Sequence, residues 1–279
     1  MLEHIKSNLN GETVLLDTSL VSGDPSGNDD DILRILYGGV RDLRLIPAGL
    51  VEQKVSTLND LVEICNSYRV HVIKEVEEEL NTGLNQLNGH VSFLKGRKKA
   101  FDKHIDKRRN RWSSDNDDRI EGLLDYSNVL YGFVRQLRDS DPRDTFDDRE
   151  RELYELFFDE ADRRSKDLRK EVERQRESTR KNPLLLGNKL NTDAKIVAAA
   201  FVLSYRRDVS ILTNDTGIDK LARRIGFSFS ELRRSYLASK LKELPPSTIK
   251  VLFSDMLVER SYAGPEVYSP ITNLVMAMN

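Results

Sequence analysis

Apolar residues along this chain recur in two registers, and the register changes several times. Short apolar-rich runs read as strands: Thr13-Val14-Leu15-Leu16, Val70-His71-Val72-Ile73, Val209-Ser210-Ile211-Leu212-Thr213 and Ile249-Lys250-Val251-Leu252-Phe253. The first lacks the polar alternation of a sheet with one wet face before Asp17 and predicts a buried strand, and the last is strand-like. Between them the apolar positions fall three and four residues apart, which predicts helices. Residues 56–68 carry Leu58, Leu61, Val62 and Cys65 on one face, and 75–87 carry Val76, Leu80, Leu84 and Leu87. Residues 193–206 carry Ile196, Val197, Ala199, Ala200 and Leu203. Further helices are expected over 31–36 before Gly38-Gly39, over 218–225 and over 231–244, with Phe227-Ser228-Phe229 as an added edge strand. Strands that alternate with helices argue for an α/β fold around a parallel sheet.

From about residue 93 to 187 the strand pattern stops and charged residues dominate. Long amphipathic helices are expected near 91–111, 119–138 and 147–180. The second shows Ile120, Leu123, Leu124, Ser127, Leu130 and Tyr131 along one side. The third shows Leu153, Leu156, Phe157 and Ala161, then becomes polar all round. A tail of that kind is either an exposed projecting helix or not stable as a helix alone. The expected organisation is a core in two parts, 1–92 and 188–230, split by a charged helical insertion over 93–187 and followed by an extension over 231–279.

Composition narrows the picture in a few places. The 279 residues suffice for a sizeable core. Charged residues make up 32% against 38% apolar, which predicts long solvated helical surfaces. A net charge of −2 gives no signal for or against nucleic acid, so local distribution must decide. The single cysteine, Cys65, excludes an internal disulfide, fits a reducing cytoplasm and sits where a small buried hydrophobe belongs. The four histidines show no zinc-ligand spacing. No cleavable signal and no run of membrane-spanning length is visible.

The candidate chemistry lies in acidic residues at strand ends and helix starts. Asp17 closes the first apolar run, Glu79 follows the second strand, Asp193 opens an alanine-rich helix and Asp215 follows Thr213-Asn214. Ligands of an open α/β sheet bind at the carboxyl ends of its strands. Four carboxylates gathered there would repel one another unless a cation held them, and hard divalent ions such as Mg2+ or Mn2+ take oxygen ligands. Each carboxylate taken singly also reads as a helix cap or first-turn acid.

Taken together, Leu15-Leu16-Asp17-Thr18-Ser19, Val76-Glu77-Glu78-Glu79-Leu80, Asp193-Ala194-Lys195-Ile196-Val197-Ala198-Ala199-Ala200 and Ile211-Leu212-Thr213-Asn214-Asp215 resemble the motifs of PIN-domain nucleases, in the family's order. The resemblance covers about residues 10–90 and 188–230. It implies a PIN-like three-layer α/β/α sandwich with a central parallel sheet, interrupted here by the helical insertion. It also implies a Mg2+- or Mn2+-dependent hydrolase, an endoribonuclease, with Asp17, Glu79, Asp193 and Asp215 as catalytic metal ligands and Asp219 as an added acidic ligand. Thr18, Ser19 and Thr213 are expected to bond the ligands or the phosphate or to cap helices, and Asn214 to orient water or form a turn. Glu75 and Glu78 share a broad helical face with Glu79, so the ligand assignment stays open among them. A phosphatase that begins with a similar apolar run needs a second aspartate where this chain has Ser19.

A second feature is the basic stretch from Lys95 to Arg111, which includes Lys98, Lys99, Arg108 and Arg109, with Phe101 and Trp112 among the cations. Such a helix suits a phosphate backbone with stacked bases, RNA being the expected partner. The later run around Arg163, Arg164, Lys166, Arg169 and Lys170 alternates with acids and reads as i,i+4 pairs. The insertion is also a candidate surface for a protein partner or a second copy. Two other readings stay open: a non-catalytic scaffold that binds nucleic acid, and a structure-specific DNA nuclease whose basic helices arch over the site.

Overall fold

The structure is a computed structural model. It describes residues 5, 9, 13–22, 49–103, 114–140, 146–179, 191–230, 240–241, 247–253 and 259–263. The expected helix over 31–36, most of that over 231–244, and Arg108 and Arg109 lie outside the described residues.

The described elements are β1 (Thr13–Leu16), α1 (Ser19–Ser22), α2 (Leu50–Ser67), β2 (Arg69–His71), α3 (Lys74–Lys103), α4 (Ser114–Ser140), α5 (Asp148–Thr179), α6 (Thr192–Leu203), β3 (Val209–Thr213), α7 (Thr216–Ser230), β4 (Ile249–Phe253) and β5 (Glu259–Ala263). The strands form one sheet in the order β2-β1-β3-β4-β5. The first four are parallel, and β5 pairs antiparallel with β4. The chain is therefore mixed α/β with a four-strand parallel sheet, compatible with an α/β sandwich. Every residue of β1 and β3 is buried, as strands inside a parallel sheet are.

Connectivity sets where a ligand can enter. The step from β1 to β2 moves one way along the sheet, and the step from β2 to β3 crosses back past β1. Parallel connections are right-handed, so reversing direction places the connecting helices on opposite faces. Packing agrees: α2 lies against β2 and α4, whereas α6 lies against β3, α5 and α7. The reversal leaves a crevice between the carboxyl ends of β1 and β3.

Three sequence expectations are corrected. The helix expected over 75–87 and the described part of that expected near 91–111, as far as Lys103, are one helix, α3. Its buried stripe runs without a break through Val76, Leu80, Leu84, Leu87, Val91 and Leu94, so packing gives no reason to stop at Gly89. The hydrophobic cluster also takes in Leu123, Tyr126, Phe133 and Phe157, so α4 and α5 share one core with the sheet. Tyr126 donates from its hydroxyl to the Val21 carbonyl at 3.2 Å. Phe227-Ser228-Phe229 is not an edge strand: the backbone there continues α7, whose stripe Ile218, Leu221, Ala222 and Ile225 is buried, and β4 occupies the place beside β3. The expected extension thus supplies β4 and β5 to the sheet.

Helix α5 runs antiparallel to α6. Going along α5, Glu150 pairs with Arg206, Phe157 stacks at 5.2 Å from Phe201, Phe158 lies beneath Lys195, and Asp162 accepts from Asn191. The apolar part of this contact centres on Phe157, which is fully buried; removing such a ring typically costs about 3–5 kcal/mol.

Candidate functional site

The crevice between β1 and β3 is lined by hydroxyls and carboxylates. Asp17 directly follows β1, and its amide N–H donates to the Leu212 carbonyl at 3.1 Å, which ties it to the end of β3. Its side chain is buried, 5% exposed. Oδ2 of Asp17 accepts from Ser19 Oγ, and from Thr213 Oγ1 at 2.7 Å. Each hydroxyl has one proton, so with both directed at Asp17 the 3.1 Å approach of Ser19 to Thr213 is a contact between two oxygens. The oxygens in turn accept backbone N–H groups. Asn214 donates to Ser19 Oγ at 2.9 Å, and Asp215 donates to Thr213 Oγ1 at 2.8 Å.

Glu79 is joined to this net by one residue. Thr18 donates from Oγ1 to Glu79 Oε2 at 2.8 Å, while the same oxygen lies 3.5 Å from Asp17 Oδ1, too far to compete for the proton. On its other side Glu79 Oε1 accepts from Thr192 Oγ1 at 2.7 Å. Thr192 opens α6 and precedes Asp193, which sits half-exposed in the first turn. Of the three glutamates sharing that face of α3, Glu79 is the one bonded into this net. Glu75 instead pairs with Lys195, and Glu78 with Lys74 at 3.3 Å. Beside them, burial first, then the charges of Glu75 and Glu155, push the Tyr154 phenol pKa upward.

Asp215 caps α7. Its Oδ1 accepts the Gly217 N–H at 2.6 Å, the helix-cap role that the sequence allowed. Gly217 leaves room for that carboxylate: a Cβ there would stand 2.9 Å from Asp215 Oδ1, and the carboxylate would have to shift. Asp219 lies one turn on and is buried, 4% exposed.

The structure thus links Asp17, Thr18, Ser19, Glu79, Thr213, Asn214 and Asp215, with Asp193 adjacent through Thr192. It does not bring Lys98 and Lys99 to them. Those lysines lie on α3, on the order of 28 Å beyond Glu79 at 1.5 Å per residue. Thr192 was missed by sequence reasoning, although a threonine directly before a helix-opening aspartate signals a polar helix start. Gly217 was also missed; its role shows only through the close approach of Asp215.

The donor set is oxygen throughout, which fits a hard divalent cation. Asp17, Glu79, Asp193 and Asp215 are the residues that would hold it. Among the described residues no three His, Cys, Asp or Glu side chains already stand together as a metal cage. Hydroxyl donors orient the Asp17 and Glu79 carboxylates without cancelling their charge.

No protein-family model matches the chain, and no curated protein and no solved structure matches it. Among the described residues, no helix is long and apolar enough to cross a membrane.

Proposed function

We propose that this chain is a PIN-like, metal-dependent nuclease that hydrolyses phosphodiester bonds, acting in the cytoplasm as an endoribonuclease with Mg2+ or Mn2+. One observation carries the reading. Hydroxyls near the carboxyl ends of β1 and β3 hold two carboxylates from distant parts of the chain: Ser19 and Thr213 donate to Asp17, Thr18 and Thr192 donate to Glu79, and the Asp215 N–H donates to Thr213. A divalent cation held there supplies Lewis acidity to a phosphodiester and to the water that attacks it.

The chain's own residues do the positioning. Asp17 and Asp215 act as direct ligands, and Glu79 and Asp193 complete the set. Ser19 and Thr213 fix the Asp17 carboxylate by bonds to its Oδ2 and are themselves fixed by the Asn214 and Asp215 amides. Holding ligands through such outer contacts keeps their orientation when the cation arrives. Asp215 remains fixed by the Gly217 amide as the start of α7.

The test is cleavage of labelled single-stranded RNA and single-stranded DNA with Mg2+ or Mn2+, comparing wild type with Asp17→Asn and Asp215→Asn. RNA cutting that needs the metal and falls by about 10²-fold or more in both variants is expected. Cutting of DNA alone would replace RNA with a flap-type substrate. Absence of both cutting and calorimetric metal binding would leave a scaffold and sink the catalytic reading.

A further inference from the structure

Helix α5 changes sign where it passes the carboxylates. Over 148–162 it carries seven carboxylates against two guanidinium groups, and over 163–179 seven cations against four carboxylates. The switch falls next to Asp162, which accepts from Asn191, the residue before Thr192. Thr192 holds Glu79, and Glu79 reaches Asp17 through Thr18. The acidic half of α5 therefore lies along α6, and the basic half continues past the carboxyl edge. From residue 162 to Thr179 the helix extends roughly 25 Å at 1.5 Å per residue.

The helix dipole does not account for this. It favours cations only in the last turn, whereas the run begins at Arg163, several turns earlier. Nor do i,i+4 pairs account for all of it. Glu160 is 3% exposed and accepts from two guanidinium groups at once, from Arg163 Nη2 at 2.6 Å and from Arg164 Nε at 2.8 Å. One buried carboxylate shared by two arginines fixes both side chains, and Asp167 adds a second negative charge near Arg163. Arg163 is 55% exposed. Its Nε and Nη2 are engaged by the Glu160 carboxylate, and of the five guanidinium donors those on Nη1 are not among these bonds. Lys166 pairs with Asp162 but is 62% exposed, and Lys170 is exposed.

We infer that the basic half of α5 receives the sugar–phosphate backbone of a single-stranded nucleic acid and leads it to the carboxylates, with Arg163 and Arg164 as the phosphate-binding pair nearest the site. This rests on the nuclease reading of that edge. It moves substrate binding from the far end of α3, where sequence placed it, to a helix that reaches the site. Charge complementarity selects the occupant: a polyanion can bridge from these cations to a cation held by Asp17 and Glu79, whereas an acidic site without such an ion repels it.

The test measures binding of a fluorescein-labelled single-stranded RNA by anisotropy at several salt concentrations. It uses the full chain carrying Asp17→Asn, with EDTA present, so that binding is read apart from cutting. Arg163→Gln with Arg164→Gln should weaken binding about tenfold or more and flatten the salt dependence by roughly 1.4 in the log–log slope, for two lost phosphate contacts. Arg149→Gln with Arg151→Gln removes the same charge from the acidic half of the same helix and should leave affinity within about twofold. Lys170→Glu, one exposed change, repeats the test if the double variant fails to fold by circular dichroism. Equal weakening by both double variants would overturn the inference in favour of a net-charge effect. No RNA binding by the parent chain, with retention of polyglutamate, would overturn it in favour of an acidic protein partner. Unchanged RNA binding in the Arg163/Arg164 variant, beside intact metal-dependent cutting in an otherwise wild-type chain, would sink the inference and leave the nuclease reading standing. Weakened binding in a chain that never cuts would do the reverse.

Discussion

The two ends of α6 treat a glutamate in opposite ways. At the amino edge of the sheet, Glu150 is met by the guanidinium of Arg206 through both carboxylate oxygens, and its Oε2 also accepts the Asp147 N–H at 2.9 Å. Asp147 returns the favour by accepting the Glu150 N–H at 2.8 Å, a reciprocal cap at the start of α5. At the carboxyl edge, Glu79 is met by the hydroxyls of Thr18 and Thr192. A guanidinium cancels a buried carboxylate's charge and locks the packing. A hydroxyl orients the carboxylate and leaves the charge in place, ready for a cation. The first end reads as a structural tie, the second as a site.

Substitutions at each end separate those roles. Glu79→Gln is expected to have the largest effect on chemistry, a loss of about 10²-fold or more in metal-dependent cleavage with little change in melting temperature; a stable, fully active variant would break the contrast. Glu150→Gln should do the opposite. Arg206 then loses a charged partner but is 32% exposed and stays hydrated, which costs roughly 1–2 kcal/mol, so thermal unfolding should shift down while activity per folded molecule is kept.

Gly217→Ala sharpens the site further. A Cβ 2.9 Å from Asp215 Oδ1 must displace that carboxylate. Misplacing a reacting group by about 1 Å can cost on the order of 10²-fold, so a rate loss of about 10- to 100-fold is expected, read against circular dichroism that stays native. Thr192→Val should lower apparent metal affinity about tenfold, the lower end for loss of an orienting contact; calorimetric titration with Mn2+ checks it.

The smallest effect concerns Cys65, which neither end uses. Burial pushes its thiol up to about 12. A pKa raised by folding stabilises the native state while the thiol is protonated in both states. That stability is lost as pH rises from about 9 toward 12, where the unfolded thiol ionises first. Iodoacetamide at neutral pH should therefore label Cys65 only on unfolding, faster in Glu150→Gln than in Glu79→Gln. Rapid labelling of the native chain would contradict its burial.

Local signals predicted elements well where burial is uniform. β1, β3 and β4 were legible because strands inside the sheet are mostly apolar, as in Val14-Leu15-Leu16, Ile211-Leu212 and Val251-Leu252. β2 starts one residue earlier and ends two residues earlier than expected, at Arg69–His71, because Val72 and Ile73 continue the same apolar run past the last ladder pair. Helix α3 was read as two helices, over 75–87 and near 91–111, although its buried stripe runs on from Val76 to Leu94. β5, Glu-Arg-Ser-Tyr-Ala, carries no buried-strand signature, and pairing with β4 alone makes it a strand.

The sequence by itself determined the residue chemistry: which carboxylates follow strands, which hydroxyls flank them, and where a helix changes sign. Those are properties of composition and period, readable within a dozen positions. Only the tertiary structure decided which of them meet. The order β2-β1-β3 brings residue 17 beside residue 213, and α3 carries Glu79, not Glu75 or Glu78, into reach of Thr18 and Thr192. It also decided that the basic end of α3 lies far from the crevice while that of α5 begins beside it. Side-chain contacts across a hundred residues depend on sheet order and helix direction, and no local pattern encodes either.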